Sequence, residues 1–385
     1  MRIAVDALSV VPGETGGGET YLAGLLGAMG AVAAARGHEV IVHCTPENSR
    51  LFRDAGAVRL ARLAIENRSR PRRLLYEHLR YGSQLREDRI DVLFAPGNAL
   101  PLRLPCPAVL GVQSLHSFLV PEEMSRFRVA YFRRMVPMSA RRAVRVLCVS
   151  EDLRRTLLRV VPGLDAAKIR VVHEGSPTDI RRVEDAARVA EVCREFGVEP
   201  GRFVLFVSSL NPFKRPERAV EAVARIRADR GEAWCLLLAG RASDAHRSRV
   251  LAAAEACGAE DLVRIAGTLD RARLAALYSG ARVMTYPSTV ETFGLPPLEA
   301  MACGTPVVAA NRTSIPEITG DAALLIDPDD VAAYAAALHR ALHDDALRAD
   351  LVAKGRARLA LFDWDRAAAE TLDLVEEAAR AARPQ

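Results

Sequence analysis

At 385 residues, half of them hydrophobic, the chain is long enough for two substantial cores, because single cores seldom grow past about 250–300 residues. A formal net charge of +5 suits an anionic small-molecule substrate and lacks the concentrated basic stripe of a nucleic-acid binder. No run of about eighteen apolar residues argues for a membrane span, and the seven cysteines form no C-x-x-C pair, which together with the direct start MRIAVDAL predicts a cytoplasmic protein of a reducing compartment.

Arg2 to Leu8 has the pattern of a buried strand, followed by a turn-rich segment from Pro12 to Gly18 and a helix from about Glu19 to Arg36. Gly16, Gly17 and Gly18 therefore fall between a strand and a helix, where backbone N–H groups can cradle phosphate or simply form a flexible loop. They do not make the dinucleotide fingerprint, which would need glycine where Tyr21 stands. Further strands are expected at Glu39–His43, Val58–Ala64, Val92–Ala95, Ala108–Val112, Val144–Val149 and Ile169–Val172. Their alternation with helical stretches predicts an α/β fold with a parallel sheet. Residues 121–145 form a basic, partly amphipathic region with Arg126, Arg128, Arg133, Arg134, Arg141, Arg142 and Arg145 around Phe127, Tyr131 and Phe132. Such a stretch can rest weakly on an anionic membrane surface, help close over an acceptor, or be a solvated helix face.

Ser150 to Val160 reads as a capped helix, and the turn residues after Ser176 mark a domain junction. The expected division is 1–176, 177–362 and a terminal helix in 363–385, with Trp364 as its anchor. Phe203–Ser209 opens the second set of strands, continued at Trp234–Gly240 and Leu262–Thr268. Between Phe203–Ser209 and a helix from Glu217 to Arg230 lies NPFKRP, which puts Lys214 and Arg215 at the carboxyl end of a strand, where open α/β sheets bind ligands. Lysine is rare here: Lys168, Lys214 and Lys354 are the only ones among 53 basic residues.

Val283 to Ala310 is the stretch richest in chemistry. An apolar run to Ser288 precedes a loop, a helix opened by Pro296-Pro297 and closed by Gly304, and a second apolar run. The loop and the helix start carry Glu291 and Glu299, eight positions apart. Gly294 allows close backbone approach to a ligand, and free N–H groups at the helix start favour an anionic diphosphate. Glu299, expected in the first turn, can accept two ribose hydroxyls, or merely complement the helix dipole; Glu291 is free to face another group, or is a solvated loop charge. Asp327-Pro-Asp329 has the D-x-D spacing of a metal site, but its place ahead of a helix near Val331 reads as a turn and N-cap.

The segment ETFGLPPLEAMACGTPVVA resembles the E-x7-E signature of retaining GT-B glycosyltransferases of family 4, and TSIPEITGDAALLIDPDD after it continues the likeness. The resemblance implies two Rossmann-like, doubly wound domains facing across a cleft, with a C-terminal helix crossing back to the first. It implies a nucleotide-diphosphate sugar as substrate, with no cofactor and no metal. For the donor it implies Lys214 and Arg215, or Arg241 in place of Arg215, on the diphosphate, because Phe213 stands where an arginine is common. Thr292, Phe293, Gly294 and Leu295 would join them, with Glu299 on the ribose, Glu291 toward the transferred sugar, Gly16 to Gly18 near the phosphates, and backbone at Arg264 and Ile265 reading the base. Where many members have His-Asp beside the sugar, this chain has Gln113 and Ser114, so Gln113 or the nearby His116 takes that place. Front-face attack by the acceptor, a sugar, lipid-linked glycan or small molecule, would follow. A nucleotide-sugar 2-epimerase, a non-catalytic nucleotide-binding protein and, least supported because of Tyr21, a dinucleotide oxidoreductase are the alternatives.

Overall fold

The computed structural model describes residues 1–13, 16–66 and 68–381. Two positions of the expected turn between Pro12 and Gly18, and the last four residues of the expected terminal segment 363–385, lie outside them. The chain divides into two compact units, Met1–Gly175 with Asp363–Gln385, and Ser176–Phe362.

The first unit is built on a parallel sheet of seven strands among the described residues: β1 (Arg2–Asp6), β2 (Glu39–Cys44), β3 (Val58–Arg62), β4 (Val92–Ala95), β5 (Ala108–Val112), β6 (Arg145–Cys148) and β7 (Ile169–Val171). Their order is β3-β2-β1-β4-β5-β6-β7. The chain therefore winds outward one way from β1 and then the other way from β4, leaving a topological switch between these two neighbours. Strands such as Val92–Ala95 are buried on both faces, as continuous apolar runs in parallel sheets are. The C-terminal helix Trp364–Ala381 packs in this unit against the first helix, Gly17–Ala35. The indole of Trp364 lies over Gly24 and Gly175, where an added Cβ would come within 2.4 Å and 2.3 Å of its ring atoms, and edge-on to Tyr21 at 6.1 Å. Arg36 pairs with Asp373 at 2.7 Å, and Glu377 accepts from Arg145 and Arg170.

The second unit repeats the plan with β8 (Phe203–Val207), β9 (Cys235–Ala239), β10 (Val263–Gly267), β11 (Val283–Tyr286), β12 (Val307–Ala310) and β13 (Ala323–Ile326), ordered β10-β9-β8-β11-β12-β13 and all parallel. Here the switch falls between β8 and β11. The loops that leave the carboxyl ends of these two strands carry Lys214 and Glu291. One strand, β13, has no counterpart among the expected elements.

Candidate functional site

The loop after β8 is a short turn, Pro212–Lys214, followed by Arg215 in the left-handed region at φ 55° and the helix Pro216–Arg230. Its partner is the loop after β11. The carbonyl of Phe213 accepts from Thr289 N at 2.8 Å and Thr289 Oγ1 at 3.0 Å, so the two loops are clipped together. That clip brings Lys214 Nζ to 2.6 Å from Glu291 Oε1, with both side chains about nine-tenths buried. The ammonium also lies 5.1 Å from the centre of the Phe213 ring and 5.9 Å from that of Tyr286. Phe213 carries no charge, yet it seats the lysine through its ring and the neighbouring loop through its carbonyl. Burial, then the nearby Glu291 carboxylate, push the Tyr286 hydroxyl well above its ordinary pKa, so it stays a neutral donor beside that carboxylate.

Glu291 is placed by its backbone as well. Its N–H donates to Thr313 Oγ1 at 3.0 Å, and Thr313 itself is held at φ 51°, a conformation unfavourable for a β-branched residue. Gly294 has φ 111°, and a Cβ there would come 2.8 Å from Ile315 Cδ1, so the loop needs glycine for conformation and for space. Phe293 is buried against Phe362, and its carbonyl accepts from Ser314 Oγ at 2.9 Å.

The helix that follows runs Leu295–Ala302, which corrects two expectations. Pro296 and Pro297 are its second and third residues and have no N–H, so the helix start offers half the donors such an end normally presents. An anion here would rely on Lys214 and the loop amides. Glu299 is the fifth residue, in the second turn, and is buried. Its Oε1 accepts from Arg271 Nη1 at 2.7 Å and its Oε2 from Tyr278 at 2.9 Å. Arg271 and Tyr278 lie seven residues apart on the helix Arg271–Gly280, hence on one face two turns apart. With four lone-pair sites, the carboxylate is not saturated by these two bonds.

Arg215 is turned to Asp329 at 3.2 Å, so its charge is already engaged, while Arg241 is exposed just beyond β9. Gly240, at the end of β9, has φ 147°, and a Cβ there would collide with the carbonyl of Ser208. Arg264 and Ile265 fall inside β10, and the Arg264 guanidinium folds onto the carbonyls of Asp261 and Val263 at its amino end. The backbone beyond the carboxyl end of that strand begins at Thr268. Asp327 accepts from Asp329 N and Arg312, and Asp330, not the D-x-D pair, caps the helix Val331–His343.

In the first unit, Gly16 at φ 50° precedes the helix Gly17–Ala35, which takes in Gly17 and Gly18 as its first residues and starts two residues earlier than expected. Gln113 follows β5, and its backbone N–H donates to Asn98 Oδ1 at 2.7 Å. Ser114 N reaches the same oxygen at 3.2 Å, and Asn98 is itself left-handed at φ 66°. The Tyr21 hydroxyl, near Gln113 and Glu174, is pushed well up by burial and by the Glu174 charge. Glu174 is raised to about 8 by burial. His116 begins the short helix His116–Leu119, its N–H on Ser114 Oγ at 3.3 Å. In the basic region, the helix Arg126–Arg142 leaves Phe127 70 % exposed. A hydrogen bond between Tyr131 and His78 at 2.9 Å joins it to the helix Arg70–Leu79, where Leu75 and Leu79 are also exposed. No helix among the described residues is long and apolar enough to cross a membrane.

Two family models match the chain, "Glycosyltransferase Family 4" over residues 15–180 and "Glycosyl transferases group 1" over residues 194–358. The O-antigen chain mannosyltransferase B of Escherichia coli is 31% identical over 75% of each chain. The chain belongs to the family 4 glycosyltransferases of the GT-B class. A D-inositol 3-phosphate glycosyltransferase of Acidothermus cellulolyticus is 38% identical over 53% of this chain and 46% of its own. Among solved structures, HepE of Anabaena in complex with UDP and glucose aligns over 97% of this chain and 99% of that one, at TM-score 0.73 and 20% identity. Sucrose-phosphate synthase of Thermosynechococcus elongatus aligns over 99% and 100%, at TM-score 0.75 and 24% identity. At those identities the structural likeness establishes the GT-B fold alone. As a member of this family the chain is a glycosyltransferase that uses nucleotide-sugar donors.

Proposed function

We propose that this glycosyltransferase moves a hexose-type sugar from a nucleotide diphosphate to an acceptor hydroxyl with retention of anomeric configuration, without a metal. The observation that carries the reading is the 2.6 Å pair of Lys214 and Glu291 at the switch between β8 and β11. Breaking the bond from the sugar C1 to the phosphate oxygen leaves negative charge on the diphosphate and an oxocarbenium-like sugar. Lys214, with the amides of Gly294 and Leu295, faces the first, and Glu291 faces the sugar. The acceptor oxygen then bonds to C1 on the face the diphosphate leaves, and its proton passes to the departing phosphate oxygen. Glu299, held by Arg271 and Tyr278, takes the ribose. Mannosyltransferases among the relatives support a hexose donor.

Thermal unfolding with UDP, GDP, ADP and dTDP tests the donor side: one nucleotide should raise the melting temperature well above the others by mass action. Product analysis by proton NMR tests the stereochemistry. An inverted anomer, or no response to any nucleotide, contradicts the proposal.

For the acceptor, the arginines of Arg126–Arg142 beside exposed Phe127, Leu75 and Leu79 support weak peripheral contact with an anionic membrane, as a lipid-linked glycan would require. Sedimentation with vesicles of anionic and of neutral lipid checks this. The wild-type chain should pellet with the anionic vesicles and F127A/R134A much less; equal pelleting of both proteins removes this face from the account, and no pelleting of the wild type removes the membrane.

A further inference from the structure

At the other edge of the second unit, where β9 begins, a cluster stands apart from the donor chemistry. The helix Pro216–Arg230 ends at Gly231, and the next residue is Glu232. Since this helix starts beside Lys214 and rises about 1.5 Å per residue, its fifteen residues put Glu232 roughly 20 Å away along the helix axis. His339 and His343 lie four residues apart on Val331–His343, so their imidazoles share one face. Both turn Nε2 to the same carboxylate: His339 at 3.3 Å from Oε1 and His343 at 2.6 Å from Oε2. The rings lie 4.4 Å apart, and the ligand atoms of all three residues fall within 4.8 Å of one another.

We propose that Glu232, His339 and His343 form a binding site for a divalent first-row transition ion, with zinc the natural probe. Two atoms coordinated tetrahedrally at zinc distances lie about 3.3 Å apart, the separation of His339 Nε2 from Oε1, and all three ligand atoms lie within 4.8 Å of one another. Two imidazoles and one carboxylate suit zinc, cobalt, nickel or copper and do not suit magnesium, which prefers oxygen ligands. The carboxylate is prepared for the role. The Trp234 indole N–H donates to Glu232 Oε2 at 3.0 Å. That indole fixes the carboxylate from outside, as partners of metal ligands do, and its ring stands edge-on to His343 at 5.8 Å. A bound ion would staple the helix Val331–His343 to the turn entering β9. The site lies away from the donor residues, so it is independent of the metal-free transfer proposed above.

Equilibrium dialysis of the full, tag-free, chelator-stripped chain against zinc, cobalt and magnesium tests the site. Exposed Cys257 is a competing ligand, so C257S serves as the background. C257S should bind one zinc or cobalt ion per chain but no magnesium, and gain melting temperature in zinc that EDTA reverses. H339A/H343A should lose at least about tenfold in affinity while melting unchanged in EDTA. H343A alone, at a side chain 46% exposed, should show the same loss if the double variant folds poorly. The cobalt form should lack a thiolate charge-transfer band, which excludes Cys235. Equal zinc affinity in C257S and H343A/C257S, or a thiolate band, overturns the assignment.

Discussion

Arg271 Nη1 stands 2.7 Å from Glu299 Oε1, while its other nitrogens grip Asp179 at 2.8 Å and 2.7 Å. One guanidinium thus ties the helix bearing Glu299 to the segment that enters the second unit. Glu299 is buried and Arg271 is 38% exposed, so water can replace part of what the arginine supplies. Arg271→Ala should cost ~1–3 kcal/mol, below the full penalty of breaking a wholly buried pair. Urea unfolding gives the stability and nucleotide titration the affinity, and both should fall. An unchanged midpoint would mean the pair contributes nothing to holding Glu299.

Thr313 places the Glu291 backbone from a strained conformation. Thr313→Val keeps the shape and removes the acceptor, and should lower kcat/KM by roughly tenfold or more through misplacement of the loop. Thr313→Ser should retain most turnover. Equal rates in all three proteins, measured by nucleotide release, would make the hydrogen bond incidental.

Glu174 couples stability to pH. Its folded pKa, raised by burial to about 8, lies above its value in the unfolded chain, so the folded state binds more protons between the two. That contribution is fully present below the ordinary carboxylate range and is lost as pH rises through about 8. Glu174→Gln should flatten this part of the profile and be more stable than wild type at pH 9. Parallel urea melts from pH 5 to pH 9 check it, and parallel slopes would contradict it.

Trp364 fills the space over Gly24 and Gly175. Trp364→Ala should cost about 2–4 kcal/mol, somewhat less than for a wholly buried tryptophan. Gly24→Ala would drive a Cβ into the indole and should also destabilise the chain. Thermal melts of the two variants read both effects.

Strands of continuous apolar residues, such as Phe203–Val207, are legible because both faces are buried and no polar residue interrupts them. The last strand, Ala323–Ile326, is not: it is four residues long, sits at the sheet edge and leaves Leu324 and Leu325 half-buried. Glu291 and Lys214 can be picked out because loop position and residue type coincide. Arg271 and Tyr278 reach Glu299 from a helix more than twenty residues earlier, and only their seven-residue spacing hints at a shared face. Asn98 had a local sign, since a Gly-Asn turn tolerates the left-handed conformation from which it holds Gln113. The missing donors at Pro296 and Pro297 were legible throughout, as proline has no N–H to give.

The pairing of Lys214 with Glu291 is tested most directly by steady-state transfer and nucleotide-induced melting shifts in Glu291→Ala. Transfer should fall by at least about a hundredfold while the shift with the preferred nucleotide stays near wild type, since the sugar and not the nucleotide loses its partner. Wild-type turnover in Glu291→Ala would contradict the role assigned to that carboxylate.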